Sequence, residues 1–271
     1  MRHKRLGCPG PGSGGSLDRV EIVLLHGNSS SSRCWRRLAA ADVLRGHELV
    51  AIDLPGHGGG PYAEHVDYSL RGLARSVAAL LQARPLASRV VVGWSLGGHV
   101  ALEAAASIPG LAGLVLIGAP PTGFPVSGFR AMPTAATCPD PPADRVREHI
   151  ETLCRDESAR LLFRDDYALA DPRVRDGVAR CIASGDFSDE IEIVRGRLPV
   201  AVVVGADDPL VDLDHLRSVP WGHLWGGRVH LIEGALHAPH VDAPDTVASL
   251  VSGFVASIRS ASSIPSEGSP P

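Results

Sequence analysis

This sequence has almost no lysine. Lys4 is the only one in 271 residues, and arginine carries the rest of the positive charge, a pattern we read as coding bias rather than chemistry. Basic side chains number 26 against 30 acidic ones, a formal net charge of −4, and no lysine–arginine stripe runs through the chain. Nothing in that balance points to a nucleic-acid partner. No apolar run approaches the roughly 20 residues of a membrane-spanning helix. Residues 1–18, "MRHKRLGCPGPGSGGSLD", open with positive charge but lack the apolar stretch of a secretory signal. The five cysteines, Cys8, Cys34, Cys138, Cys154 and Cys181, are odd in number and lack C-x-x-C spacing. They read as small apolar residues, not a disulfide framework, and a reducing cytoplasm is the expected setting. His237 and His240 stand as H-x-x-H with no third ligand beside them, so no zinc site and no cofactor is expected. No internal repeat is present.

What remains is ordinary for one globular α/β domain: 44% apolar and 21% charged residues. Glycine, proline and serine dominate residues 1–18 and the tail 259–271, and both are expected to be disordered. Between them strand-like runs recur at Val20–Leu25, Glu48–Asp53, Arg89–Trp94, Gly113–Ile117, Val200–Val204 and Arg228–Ile232. Helical patterns lie between them. Asp67–Ala83 carries Leu70, Leu73, Val77, Leu80 and Leu81 on one stripe, and Pro244–Ile258 carries Val247, Leu250, Val251 and Phe254. Alternation of this kind predicts a mostly parallel sheet with helices on both faces, built from residues 19–119 and 198–258. The rhythm breaks at 120–197, where proline-rich coil gives way to amphipathic segments; this stretch reads as a helical cap.

The stretch "VVVGWSLGGHVALEAA" (90–105) joins a β-branched run to an alanine-rich helical one, with Ser95 on the corner. Gly93, Gly97 and Gly98 permit a sharp reversal there. The serine then lies beside a helix N-terminus, whose unpaired N–H groups suit a developing anion. Gly93-Trp94-Ser95-Leu96-Gly97 fits the G-x-S-x-G nucleophile elbow in a strand–turn–helix setting. Three further loops, each after its own strand, supply partners. His26-Gly27-Asn28 can aim the Asn28 backbone N–H at the space above Ser95, where the Leu96 N–H completes a two-donor oxyanion hole. "GADDPLVD" offers Asp207 and Asp208, and "EGALHAPH" offers His237. The chain order Ser…Asp…His is that of a hydrolase triad, with His237 as base. In folds that carry such a triad an alternative acid position follows the strand before the cap; here that loop, Gly118-Ala119-Pro120, holds no carboxylate, which leaves the aspartate pair. Asp208 is expected to orient His237, and Asp207 to cap the turn through backbone N–H groups. His26 and His57 read as residues that brace turns, and His99 as packing. Trp94, Phe124, Phe129 and Met132 are candidate lining of an acyl pocket, with ordinary cap packing as the other reading.

Taken together, "VLLHG", "DLPGHG", "GWSLGG", "GADDPLV" and "HAPH", in that order over residues 20–258, resemble the α/β-hydrolase-fold superfamily. "GWSLGG" and "HAP" also resemble the pimeloyl-carrier-protein methyl ester esterases. The resemblance implies a serine hydrolase acting on a small-molecule carboxylic ester or thioester, carrier-linked substrates included. It also implies an antiparallel hairpin before the first parallel strand. The head does not read as one, so the sheet is expected to be shortened. A C–C hydrolase, lyase, acyltransferase or cyclase on the same residues stays open, as does a non-catalytic ligand-binding member.

Overall fold

The computed structural model describes residues 3–6, 20–58 and 65–262. Among the described residues seven strands form one sheet: β1 (His3–Leu6), β2 (Val20–Leu25), β3 (Glu48–Ile52), β4 (Ser88–Trp94), β5 (Leu111–Ile117), β6 (Val200–Gly205) and β7 (His230–Ile232). Their order is β1-β3-β2-β4-β5-β6-β7. β1 runs antiparallel to β3, and every other neighbouring pair is parallel. The six expected strands are all present, β5 beginning at Leu111 and β7 at His230.

β1 corrects the expectation of a wholly disordered head. His3–Leu6 takes the free edge of β3, with Lys4 opposite Ala51 and Leu6 opposite Leu49. Edge pairing of this kind uses backbone donors and acceptors, so four residues without an apolar alternation can supply it. Among the described residues, a single antiparallel strand stands where a hairpin was implied. Residues 7–19, with Cys8, lie outside the described residues.

Around the first half of the sheet lie α1 (Arg36–Ala39), α2 (Leu70–Gln82) and α3 (Leu96–Ala104). α2 starts at Leu70 rather than Asp67 because Ser69 caps it, its hydroxyl accepting from the Gly72 N–H at 3.0 Å. Five helices fill the interruption between β5 and β6: α4 (Thr134–Thr137), α5 (Ala143–Leu153), α6 (Glu157–Leu169), α7 (Pro172–Ser184) and α8 (Glu190–Arg195). The chain closes through α9 (Leu213–Ser218), α10 (Pro239–Asp242) and α11 (Pro244–Ser262). The last of these carries helix into residues 259–262, which were expected to be disordered; the rest of the tail lies outside the described residues.

The sheet is buried on both faces, and strand periodicity divides the core in two. Ile22 and Leu24 face the side covered by Val247, Val251 and Phe254 of α11. Val23 and Leu25 face the side covered by Leu73, Val77 and Leu81 of α2 and Val100 of α3. At the N-terminal ends of β2 and β4 a buried ion pair ties the sheet. Arg89 Nε donates to Glu21 at 2.7 Å, while its Nη atoms donate to the carbonyls of Pro109 and Pro85 at 2.6 and 2.7 Å. With these donors satisfied, desolvation of the guanidinium is offset. The opposite ends of the parallel strands are left for the loops that carry Asn28, Ser95 and Asp208.

Candidate active site

Ser95 occupies the corner between β4 and α3 with φ 51° and ψ −119°. A side chain in this region carries about 1–3 kcal/mol of backbone strain, which persists only where the surroundings impose it. They do so here. The Ser95 N–H donates to Ile117 O at 2.9 Å, and its own carbonyl accepts from the Gly98 N–H at 2.8 Å. A Cβ on Gly97 would lie 2.2 Å from Leu25 O, and one on Gly93 would lie 2.4 Å from Gly97 O. No other residue fits at either place without moving backbone. The serine side chain is thereby held at the mouth of α3, whose first N–H groups, Leu96 among them, lack intrahelical acceptors.

Asp208 and His237 meet directly. His237 Nδ1 lies 2.8 Å from Asp208 Oδ2. Since a carboxylate only accepts, Nδ1 carries the proton and Nε2 is left with a lone pair when the ring is neutral. The other carboxylate oxygen, Oδ1, accepts from the N–H groups of Leu210 at 2.8 Å and Val211 at 3.3 Å. Burial opposes the Asp208 charge, but His237 and those N–H groups outweigh it and hold the carboxyl below its ordinary range. The loop is fixed from the inserted segment as well, through a Phe129–Val211 bridge and the Arg130 N–H bonding Leu210 O at 2.8 Å. Gly118, at φ +56°, makes room for the histidine, for a Cβ there would stand 3.0 Å from His237 Cε1. Trp94 Nε1 holds the His237 carbonyl at 2.9 Å.

Asp207 corrects an expectation. It points away from the histidine and pairs with Arg155 at 2.7 Å, both side chains about half exposed. The backbone N–H groups it was expected to accept go to Asp208.

Two cavities converge on Ser95 and Asn28. The smaller also holds His237, Trp94 and His149, and the larger runs towards His99 and Glu190. Phe129 and Met132 border both. Phe124 borders neither: it is 62% exposed and its ring covers Gly185. Its place in the expected acyl lining is therefore withdrawn.

Asn28 sits in a loop braced from several sides. Its Nδ2 donates to Ala136 O at 2.7 Å, in α4. Next to it Ser29 N donates to His57 Nε2, and Ser32 N to Asp53, at 3.0 and 2.6 Å. Asp166 of α6 takes Ser31 Oγ at 2.7 Å and the guanidinium of Arg33, and Arg175 of α7 reaches Ser29 Oγ at 3.1 Å. Asp166, Arg175, His149 and Glu190 escaped the sequence reading. Each lies on an amphipathic helix of the insertion, where a buried charge looks like one more solvated position. His26 joins the strand ends, Nε2 accepting from Leu54 N at 3.0 Å. Cys34, Cys154 and Cys181 are buried and Cys138 half-buried, all unpaired.

His57 and His240 are pushed down to about 3, both by burial first and then by a neighbouring histidine. Unfolded, each binds a proton as the pH falls through 6.5; folded, each resists until about 3. The stability that comes with burying them neutral is complete above 6.5 and drains as the pH falls towards 3. The urea midpoint should therefore drop between about pH 7 and about pH 5, and His240→Phe should flatten that drop. A midpoint that holds constant over this range would contradict the assignment.

A family model described as the alpha/beta hydrolase family matches residues 22–250. The chain belongs to the alpha/beta hydrolase family. It is 30% identical to a pimeloyl-[acyl-carrier protein] methyl ester esterase of Aromatoleum aromaticum over 269 residues, covering 88% of this chain and 99% of the relative. The protein of the same name from Aeromonas hydrophila is 40% identical over 89 residues, so there the match spans only 33% of the relative. Among solved structures, the N-acyl homoserine lactonase AidH complexed with N-butanoyl homoserine superposes with a TM-score of 0.83 at 30% identity, covering 95% of this chain and 97% of that one. Members of the alpha/beta hydrolase family are recognised by fold first. What this member does must be argued from its own site.

Proposed function

We propose that this chain is a serine hydrolase that cleaves carboxylic esters or thioesters through an acyl-enzyme. The observation that carries the reading is the strained Ser95 elbow opening on the cavity that also holds His237, itself bonded to Asp208. In the first step Ser95 Oγ attacks the substrate carbonyl carbon while His237 Nε2 takes the hydroxyl proton. The carbonyl π pair moves onto oxygen, and the N–H groups of Leu96 and Asn28 receive that oxyanion. Collapse of the intermediate breaks the bond to the leaving alcohol or thiol, which gains the proton from His237. A water then repeats the sequence and frees the acid, restoring Ser95. Asp208 keeps the ring in the tautomer that leaves Nε2 free and stabilises the imidazolium.

Residues 120–197 act in this reading as a cap, setting acyl specificity through Phe129 and Met132. The relatives' names bring two ester chemistries within range, a methyl ester on a carrier-linked acid and the cyclic ester of a lactone. Treatment with a fluorophosphonate should add one phosphonyl group, found on Ser95 by peptide mass spectrometry, with loss of aryl-ester hydrolysis in step. Labelling elsewhere, or hydrolysis that survives full labelling, would overturn the serine mechanism.

A further inference from the structure

The larger cavity has one polar feature that the proposed mechanism does not use. Four residues beyond Ser95 on α3, His99 turns its ring into the same cavity. Ser95 is the cap of α3 and not one of its helical residues, so it is the shared cavity that relates the two side chains, with His99 roughly 6 Å, about one turn, further along the helix axis. His99 Nδ1 lies 2.9 and 3.0 Å from the two oxygens of Glu190, a residue with no exposed surface. Glu190 Oε2 also accepts from the Thr122 N–H at 2.9 Å, and the Glu190 N–H donates to Thr122 O at 3.0 Å. The ring is therefore fixed between α3, α8 and the chain leaving β5. Around it the wall is apolar, with Leu70, Val126, Phe129, Val178 and Phe187. Thr122 Oγ1 is committed to Gly123 O and the Ser127 N–H, at 3.1 and 2.8 Å.

An imidazole edge among such side chains has a cost unless something bonds to it. Nδ1 is used, so Nε2 is the edge left for a ligand. We propose that His99, held by Glu190, is a specificity-determining residue that donates from Nε2 to an acceptor oxygen carried on the substrate's acyl chain a few carbons from the scissile carbonyl. The proposal rests on the ester-hydrolase reading and names the acyl class it favours, oxo-substituted chains over plain alkyl ones.

Donation requires the imidazolium, because the neutral ring keeps its proton on Nδ1 facing Glu190. Burial works against that charge, but the Glu190 carboxylate outweighs it and raises the His99 pKa above its ordinary value. The other charged groups on the helices packed here have partners of their own: Glu103 of α3 accepts from the Ser188 N–H at 2.7 Å, and Arg180 of α7 pairs with Asp176. Arg71 of α2 pairs with Glu103 and Asp186, and Glu192 of α8 pairs with Arg195. The ring of Phe129 faces His99 at 5.7 Å between centroids.

The test compares matched p-nitrophenyl esters: 4-oxopentanoate against pentanoate, and 5-oxohexanoate against hexanoate. In the wild-type protein kcat/KM for at least one oxo ester should exceed that of its alkyl partner roughly tenfold, the scale of one hydrogen bond to a charged donor. The preference should fade as the pH rises and the ring loses its proton. In His99→Phe the ratio should collapse to about one, whatever the absolute rates do. In Glu190→Gln the fading should move to lower pH, which a clamp serving only to hold α8 on α3 would not produce. Equal rates on both members of each pair in the wild type, or a preference that survives His99→Phe, would overturn the proposal. Should His99→Phe fail to fold, the Glu190→Gln profile decides alone, and an unmoved profile overturns it. Absence of any ester hydrolysis by the wild type would instead strike the ester-hydrolase reading itself.

Discussion

Replacing His237 with alanine should lower kcat on an aryl ester roughly a million-fold, the scale on which removal of a triad base acts, while the protein stays folded. The size of the loss follows from the proposed mechanism, in which His237 takes the Ser95 proton in acylation and the water proton in deacylation, and no second base stands at the same place among the described residues. His240, three residues on, is fully buried, its ring lying 4.3 Å from that of Trp35 and 4.9 Å from that of Trp94. His149 does border the cavity shared by Ser95 and His237. Burial pushes its pKa down to about 4, which makes it a weak base at neutral pH. The variant keeps its fold because Asp208, losing one partner, retains the N–H groups of Leu210 and Val211. Circular dichroism and the denaturation midpoint check that point. Near-normal hydrolysis by His237→Ala, with loss in His149→Ala, would give the base role to α5.

The parts of this architecture that could be read from the residues are the locally encoded ones. The β4–α3 corner is such a case: a β-branched run, three glycines and an alanine-rich segment are neighbours in sequence, and the serine they position lies among them. The Gly205–Asp208 turn is another. What could not be read depends on partners distant in the chain. β1 is an edge strand whose register is set by β3, and four residues of head carry no periodicity that would announce it. His99 looks like a packing residue until the chain brings Glu190 of α8 beside it. Asp207 and Arg155 find each other only because the junction of α5 and α6 lies against the loop after β7, the Ala238 N–H donating to Leu153 O and Arg155 Nε to Gly234 O. For Phe124 the sequence leaves pocket lining and ordinary cap packing open; its ring lies over Gly185, where a Cβ would stand 2.6 Å from it, outside the cavity.

Exchange of Asp208 for asparagine should lower kcat about ten-thousand-fold at neutral pH, against a change within about twofold for Asp207→Asn. The surroundings of Asp208 decide which way round the new amide sits. Oδ1 faces two backbone donors, the N–H groups of Leu210 and Val211, and only an oxygen can stay there without loss. The amide NH2 is thereby turned towards His237 Nδ1, where Asp208 now accepts at 2.8 Å. Facing a donor, Nδ1 must become the acceptor, which moves the ring proton to Nε2. In the proposed mechanism that nitrogen, once it carries a hydrogen, cannot take one from Ser95. The geometry of the site survives while its chemistry stops. Asp207 has no such position: its carboxylate pairs with Arg155 across a half-exposed surface, and removing one charge there costs about 0–1 kcal/mol of stability. Both variants are to be assayed on one p-nitrophenyl ester, with kcat taken at saturation. A loss of the same size in Asp207→Asn beside a nearly active Asp208→Asn would show that the orienting carboxylate had been assigned to the wrong neighbour.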